Sequence, residues 1–303
     1  MTRAPQIGFL PDGRRLHLQD GPIDLIVEAR GSEINVRAAY EAAVRRFTGL
    51  LDELCGELRL LRKAADPAQC LLQGNVARRM HAAVAPFAAD CFITPMAAVA
   101  GSVAEEILGA MLHNAQLERA YVNNGGDIAL HLADGEHFTV GLAERPDVSG
   151  LMRTMIIGAD DPSRGVATSG RHGRSFSLGI ADAVTVLART ASQADAAATI
   201  IANAVDLPGH RAIIRCPAHD LQPDSDLGPR LVTRGVGALS AGEIEAALEA
   251  GAACARKLLA AGLIDGAALR LHGEMIVVAA RAIEMPGLHA PLRGIILEGA
   301  MHA

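Results

Sequence analysis

The chain predicts an α+β fold: a largely antiparallel sheet flanked by long helices. Short strand-like runs and helices alternate, and hairpin-type turns join many of them. Two long amphipathic runs, residues 37–63 and 240–263, have the length and periodicity to lie across a sheet. No strand is followed by a Gly-x-Gly-x-x-Gly turn, which argues against a doubly wound dinucleotide fold. At 303 residues the chain can bury a sizeable core. We expect one domain over residues 1–303, with two closely packed halves meeting near residues 90–130 as the alternative.

In order, residues 1–22 read as extended and turn-rich, with Pro11-Asp12-Gly13 as a turn. Residues 23–29 form a strand. Residues 37–63 form one long helix on the spacing of Ala42, Phe47, Leu50, Leu51, Leu58 and Leu61. Residues 75–87 form a second helix, ended at Pro86, whose Arg78, Arg79 and His81 suit a solvated face better than a ligand. Residues 92–112 pass from small residues into a helix, with Ser102 and Glu105 at capping-box spacing. The small residues around Ala100 and Gly101 admit either close approach of a phosphate to open amides or close packing of helix on sheet.

Residues 119–122 and 128–132 are strands joined by Asn123-Asn124-Gly125-Gly126-Asp127, a strong hairpin signal. Residues 137–142 and 151–157 are further strands. Residues 165–170, Gly-Val-Ala-Thr-Ser-Gly, are a strand end running into a tight turn; its hydroxyls and exposed amides could hold an anion, or it could be an ordinary corner. Arg171, His172 and Arg174 follow at once and favour the anion. Residues 183–188 are a strand and residues 192–205 a helix capped by Ser192. Asp195 and Thr199, four apart in that helix, project from one face. A carboxylate and a hydroxyl so placed suit a hard cation such as Mg2+; the alternative is that Asp195 answers first-turn amides and Thr199 bonds back to a carbonyl. Residues 211–216 are a strand, and residues 217–228, with Asp220, Asp224 and Asp226, a lid or surface loop lacking an EF-hand's pattern. Ser240 and Glu243 form a capping box for the helix over 240–263. Residues 268–271 and 275–283 close a hairpin, and residues 290–303 are a tail.

The phrases at 10–25 (LPDGRRLHLQDGPIDL), 93–101 (ITPMAAVAG), 123–127 (NNGGD) and 164–205 together resemble the ApbE-like superfamily, in its compact cytosolic branch. The best-known members are FAD:protein FMN transferases. The resemblance implies an ApbE-like, T-fold-related architecture and a small phosphorylated cofactor as ligand: FAD or FMN beside Mg2+. Carried over by motif, Asp195 and Thr199 would hold the metal. Thr168, Ser169, Gly170 and Arg171 would line the flavin or phosphate pocket, with Ala100, Gly101, Asn124, Gly125, Gly126 and Asp127 near it. The transferases' His-x-x-Asp-Pro-x-(Thr/Ser)-Gly segment is missing between the Thr-Ser-Gly turn and the following strand. His172 and Asp182 are the nearby substitutes as acid and base. Two readings therefore stand: a Mg2+-dependent FAD pyrophosphatase or FMN transferase, and a binder of a flavin- or pterin-like cofactor with other chemistry or none.

Composition narrows the classes. The formal net charge is −6 and aromatic residues make up 3%, with no Trp, which argues against a nucleic-acid partner. The five cysteines form no Cys-x-x-Cys pair, so we expect reduced, buried thiols. No signal-peptide pattern opens the chain, and the richest apolar stretch, 92–112, carries Glu105 and Glu106. We expect a cytoplasmic protein without a membrane span. A homo-oligomer is compatible with the apolar composition, though no sequence feature fixes one.

Overall fold

The computed structural model describes residues 4–145 and 148–279. The expected tail, and the expected continuation of the last strand to residue 283, lie outside them. In chain order the elements are β1 (Gln6–Phe9), β2 (Leu16–Asp20), β3 (Ile23–Arg30), α1 (Glu33–Phe47), α2 (Leu50–Leu61), α3 (Asn75–Val84), α4 (Val99–Asn114), β4 (Arg119–Asn124), β5 (Asp127–Leu132), β6 (His137–Arg145), β7 (Val148–Gly158), β8 (Gly165–Ser169), β9 (Ala183–Ala188), α5 (Ala191–Ala204), β10 (Ile213–Pro217), α6 (Ala218–Leu221), β11 (Leu231–Val236), α7 (Ala241–Ala260), β12 (Gly266–Leu271) and β13 (Glu274–Ala279). The fold class is the expected α+β.

The chain divides into two compact units that interleave in sequence. One holds residues 1–137, 158–167 and 189–196; the other holds 138–157, 168–188 and 197–303. In the first, strands run in the order β1-β2-β3-β4-β5-β8, and every neighbouring pair is antiparallel. Strict alternation puts Ile23, Leu25, Val27 and Ala29 of β3 inward. Against them pack Ala39, Tyr40, Ala43 and Phe47 of α1 and Val103, Ala104, Ile107 and Met111 of α4, at helical spacing. In the second unit β9, β12 and β13 are antiparallel neighbours, β10 pairs antiparallel with β11, and α7 packs on β12 and β13.

Several expectations are corrected. The helix over 37–63 is two helices, because Gly49 takes a left-handed φ of 84° and Thr48 bonds back to Val44 O at 2.9 Å. Thr-Gly inside an apolar periodicity is a helix-stop signal that the periodicity masks. Ser102 caps nothing: α4 begins three residues earlier, its Oγ is buried with no hydrogen-bond partner among the described residues, and Glu105 bonds elsewhere. Helix α5 starts before Ser192, and Thr190 Oγ1 accepts from Gln193 N at 3.3 Å. Residues 1–22 contain two strands, and 217–228 opens with a turn of helix. Arg79 pairs with Glu105 and Glu106, and His81 is buried on the carbonyl of Asp66. The cysteines are free, but Cys55, Cys70 and Cys91 are exposed.

The hairpins and the second capping box stand as read. Gly125 and Gly126 (φ 67° and 113°) make the two-residue turn between β4 and β5. Ser240 and Glu243 cap α7 reciprocally.

Two glycines of the first unit have no room for a side chain. A Cβ on Gly165 would lie 2.1 Å from the carbonyl of Thr190, and one on Gly101 would lie 2.3 Å from Ala191 O. Gly109, also in α4, faces open space. Gly165→Ala is expected to lower stability by at least about 1–3 kcal/mol, because backbone would have to move. Gly109→Ala should gain about 0.5–1 kcal/mol from helix propensity. Thermal melts of both variants against the parent check this; equal melting temperatures would show that the 190–191 backbone is not in contact.

Candidate functional site

The close approach at Gly101 sets the site. With no side chain between them, the first turn of α4 meets the first residues of α5, and Asp195 comes to lie one turn into α5. There its Oδ2 accepts from Gly101 N at 3.0 Å. The β4–β5 hairpin supplies the other wall. Alternation along β4 puts Ala120, Val122 and Asn124 inward, so Asn124 is a buried amide where the pattern calls for an apolar residue. It donates to Ala100 O at 3.2 Å. Asp127 pairs with Asn124 across the hairpin, and Asn123 Oδ1 holds the turn by accepting from Gly126 N at 2.8 Å.

Of the residues singled out in the sequence, the first unit thus brings together Ala100, Gly101, Asn124, Gly126, Asp127 and Asp195. Gly125 forms the exposed tip of the same turn. Asp195 is partly open to solvent. The protein packed around it raises its carboxyl well above the ordinary 3.8, and the charge of Asp127 raises it further; the N–H groups of Gly101 and Ala100 act in the opposite sense and do not cancel these.

Thr199 lies one helical turn beyond Asp195, in the part of α5 that belongs to the second unit, and is partly buried. That unit also holds the glycine turn and its arm. Thr168 Oγ1 and Thr185 Oγ1 are 2.9 Å apart, so Thr168 bonds across to β9. Gly170 has a φ of 145°, and a Cβ there would lie 2.6 Å from Asp182 O. The arm from Arg171 to Asp182 is closed by Asp182. Its Oδ1 accepts from Arg171 Nε at 2.8 Å and Nη2 at 2.5 Å, and its Oδ2 accepts from His272 N at 2.6 Å. His172 Nε2 stands 3.4 Å from the same carboxylate. Ser169 is partly buried beside Gly170.

Sequence reasoning missed one contributor. Glu105, read as half of a capping box, accepts from Ser192 N at 2.6 Å and so ties the start of α5 to α4. Gly165 lets the residues before α5 pass against β8. The Ser-x-x-Glu spacing signalled that Glu105 answers a helix N-terminus, but not which one.

Among the described residues no cluster of three or more His, Cys, Asp or Glu could hold a metal. The oxygen donors on these elements are the carboxylates of Asp195 and Asp127, of the kind a hard cation takes rather than a transition metal. They would suit Mg2+, whose charge would offset theirs. The stretch Pro95–Asn114 is apolar and long enough to cross a membrane by composition. Half of it is buried against the rest of the protein, and Glu106 within it pairs with Arg46 and Arg79.

Fold and site define an antiparallel α+β protein with the Asp195 carboxylate set where a tight hairpin meets the starts of two helices. The family described as AbpE bacteria matches residues 7–277, and the chain belongs to it. It is 40% identical over 130 residues to the UPF0280 protein MK0206 of Methanopyrus kandleri, a match covering 43% of this chain and 48% of that one. It is 43% identical over 128 residues to a UPF0280 protein of Methanococcus vannielii, covering 41% and 50%. The chain spans about half the length of the curated relatives it matches. The crystal structure of the apo form of Pseudomonas stutzeri flavinyl transferase ApbE aligns over 91% of this chain and 95% of that one, at 13% identity and a TM-score of 0.48.

The raised pKa of Asp195 has a signed consequence. Above 3.8 the unfolded chain has released this proton while the folded protein still holds it, so the group's stabilising contribution is present at low pH and is lost as pH rises through the raised value. Asp195→Asn should therefore melt at or above the parent at pH 7 in the presence of a chelator, with the difference shrinking toward pH 4. Melting curves across that range test it; a variant less stable than the parent at pH 7 would mean that the ionised form is well accommodated without a cation.

Proposed function

We propose that the protein binds FAD with Mg2+ and cleaves the dinucleotide's pyrophosphate to FMN and AMP. The observation that carries this is the Asp195 carboxylate, which accepts from the Gly101 amide at 3.0 Å while the charge of Asp127 and the surrounding protein disfavour its ionised form. Such a carboxylate is relieved by a proton or by a cation, and a Mg2+ ion bound there would bring charge neutralisation to a phosphate ligand. Membership of an ApbE-like family supports the flavin as ligand, and the proposed Asp195 and Thr199 supply the metal-facing side chains. Water is the acceptor in the simplest form of the reaction: its oxygen bonds to phosphorus, the bridging P–O bond breaks, and one proton from water ends on the solvent or a base. A threonine hydroxyl of a protein acceptor in place of water would give FMN transfer instead. His172, with Asp182 behind it, is the proposed base, and Thr168 to Arg171 the proposed phosphate- or flavin-facing turn.

A second reading is favoured by a specific observation. Asp182 already accepts from Arg171 and from His272 N, which is the pattern of an anchor for the arm rather than of a free base. On that reading the protein binds a flavin or pterin without turning it over.

The test is incubation of purified protein with FAD and Mg2+, following FMN and AMP by chromatography. Turnover that requires Mg2+, is lost in Asp195→Ala and is lost in His172→Ala with FAD binding retained supports the enzyme. Saturable FAD or pterin binding without products supports the binder; at a hundred times the dissociation constant it should stabilise the protein by about 2.7 kcal/mol. If FAD neither binds nor reacts, the proposal falls.

A further inference from the structure

A cavity of about 910 Å3 lies in the first unit between the β1–β2 hairpin and α1, and no residue of the candidate site lines it. That volume is in the range of small-molecule sites, and unlike a packing defect the cavity has a directional lining. Val36, Tyr40 and Val44 recur every fourth residue along α1, so they form one apolar stripe about 12 Å long. Ile7, Phe9 and Leu16 face the same space from the hairpin. Phe9 packs edge-on to Tyr40 with ring centroids 5.7 Å apart, yet Phe9 is 57% exposed and Ile7 46%. Tyr40 presents its ring rather than its hydroxyl as a polar handle, because the hydroxyl donates to Arg14 O at 2.7 Å and accepts from Ala29 N at 3.2 Å.

The rim is charged and nearly balanced. Arg14 pairs with Glu28, Arg37 with Glu33, and Arg45 with Glu41. Arg30 lines the cavity at the end of β3 and has no partner for its guanidinium among the described residues. The lining thus offers an apolar trough with a single uncompensated cation at the end where α1 begins.

We propose that this cavity is a second binding site, for a small amphipathic carboxylate: an elongated apolar body along Val36, Tyr40 and Val44, with its head group on Arg30. One guanidinium matches one carboxylate in a forked pair of charge-assisted hydrogen bonds. A dianionic phosphate head would carry a second charge past Glu28, Glu33 and Glu41 with no further free cation to meet it. The site is independent of the flavin reading, which can fail without touching it.

The test uses the full chain and the fluorescent apolar anion 8-anilinonaphthalene-1-sulfonate, displaced in turn by decanoate, decan-1-ol and decyl phosphate. In the parent, decanoate should displace the dye at a concentration at least about tenfold below decanol, the ratio one charge-assisted contact gives. Arg30→Gln should bring the two within about twofold while leaving decanol unchanged. Val44→Trp should fill the trough and abolish displacement by all three; the chain has no other Trp, so its emission reports whether the new ring is buried. Equal displacement by decanoate and decanol in the parent, or a ratio unchanged in Arg30→Gln, overturns the proposal. Tighter binding of decyl phosphate overturns the carboxylate assignment. A chain that is dimeric by light scattering and takes up no dye shows that a second copy covers the face instead.

Discussion

The site depends on a contact between backbones. Where Gly101 meets Ala191 and Gly165 meets Thr190, any side chain would force the peptide planes apart, since ideal Cβ positions fall 2.3 and 2.1 Å from carbonyl oxygens. Once that contact is made, little is left to adjust. Thr190 turns the chain into α5, Glu105 accepts from the Ser192 amide, and Asp195 arrives at the amide of Gly101. Because packed interiors shift by discrete repacking rather than by smooth deformation, a methyl group at either glycine would displace the carboxylate as well as cost stability.

That placement has an electrostatic cost. A partly buried carboxylate that feels the charge of a second one is disfavoured in its charged form, and two amide donors do not offset this. A fold concerned only with stability would have an Asn or an apolar residue at this point of α5. The neighbouring Asn124 shows how such a position is satisfied when neutrality suffices: its amide donates to Ala100 O and carries no charge. The contrast between Asn124 and Asp195, a few residues from the same helix start, separates what holds the hairpin in place from what remains unbalanced.

Much of this was legible in the sequence because it rests on local rules. Asn-Gly-Gly-Asp between alternating runs fixes a two-residue hairpin; inward alternation along β4 then places Asn124, and helical spacing places Asp195. The parts that were not legible depend on tertiary contacts. Ser102-x-x-Glu105 has the form of a capping box, but α4 starts earlier because the small residues before it continue the helix, and Glu105 finds the amide of a different helix. The break at Gly49 is hidden by an apolar periodicity that runs through it. Asp182 read as a base because it followed a histidine-containing arm; only the fold brings the His272 amide and the Arg171 guanidinium onto it.

The same geometry constrains how a phosphorylated ligand could be received. A helix start lined with Ala and Gly ordinarily offers open amides to an anion. Here the amide of Gly101 is already taken by Asp195, and the local charge is negative. Amides alone therefore cannot recruit a phosphate to this end of α4. On the proposed reading the carboxylates of Asp195 and Asp127 would hold a divalent cation, and its charge would supply the attraction for a phosphate that the amides do not. On that reading the raised pKa of Asp195 and a dependence on Mg2+ would share one cause, because a proton and a cation would relieve the same local concentration of negative charge.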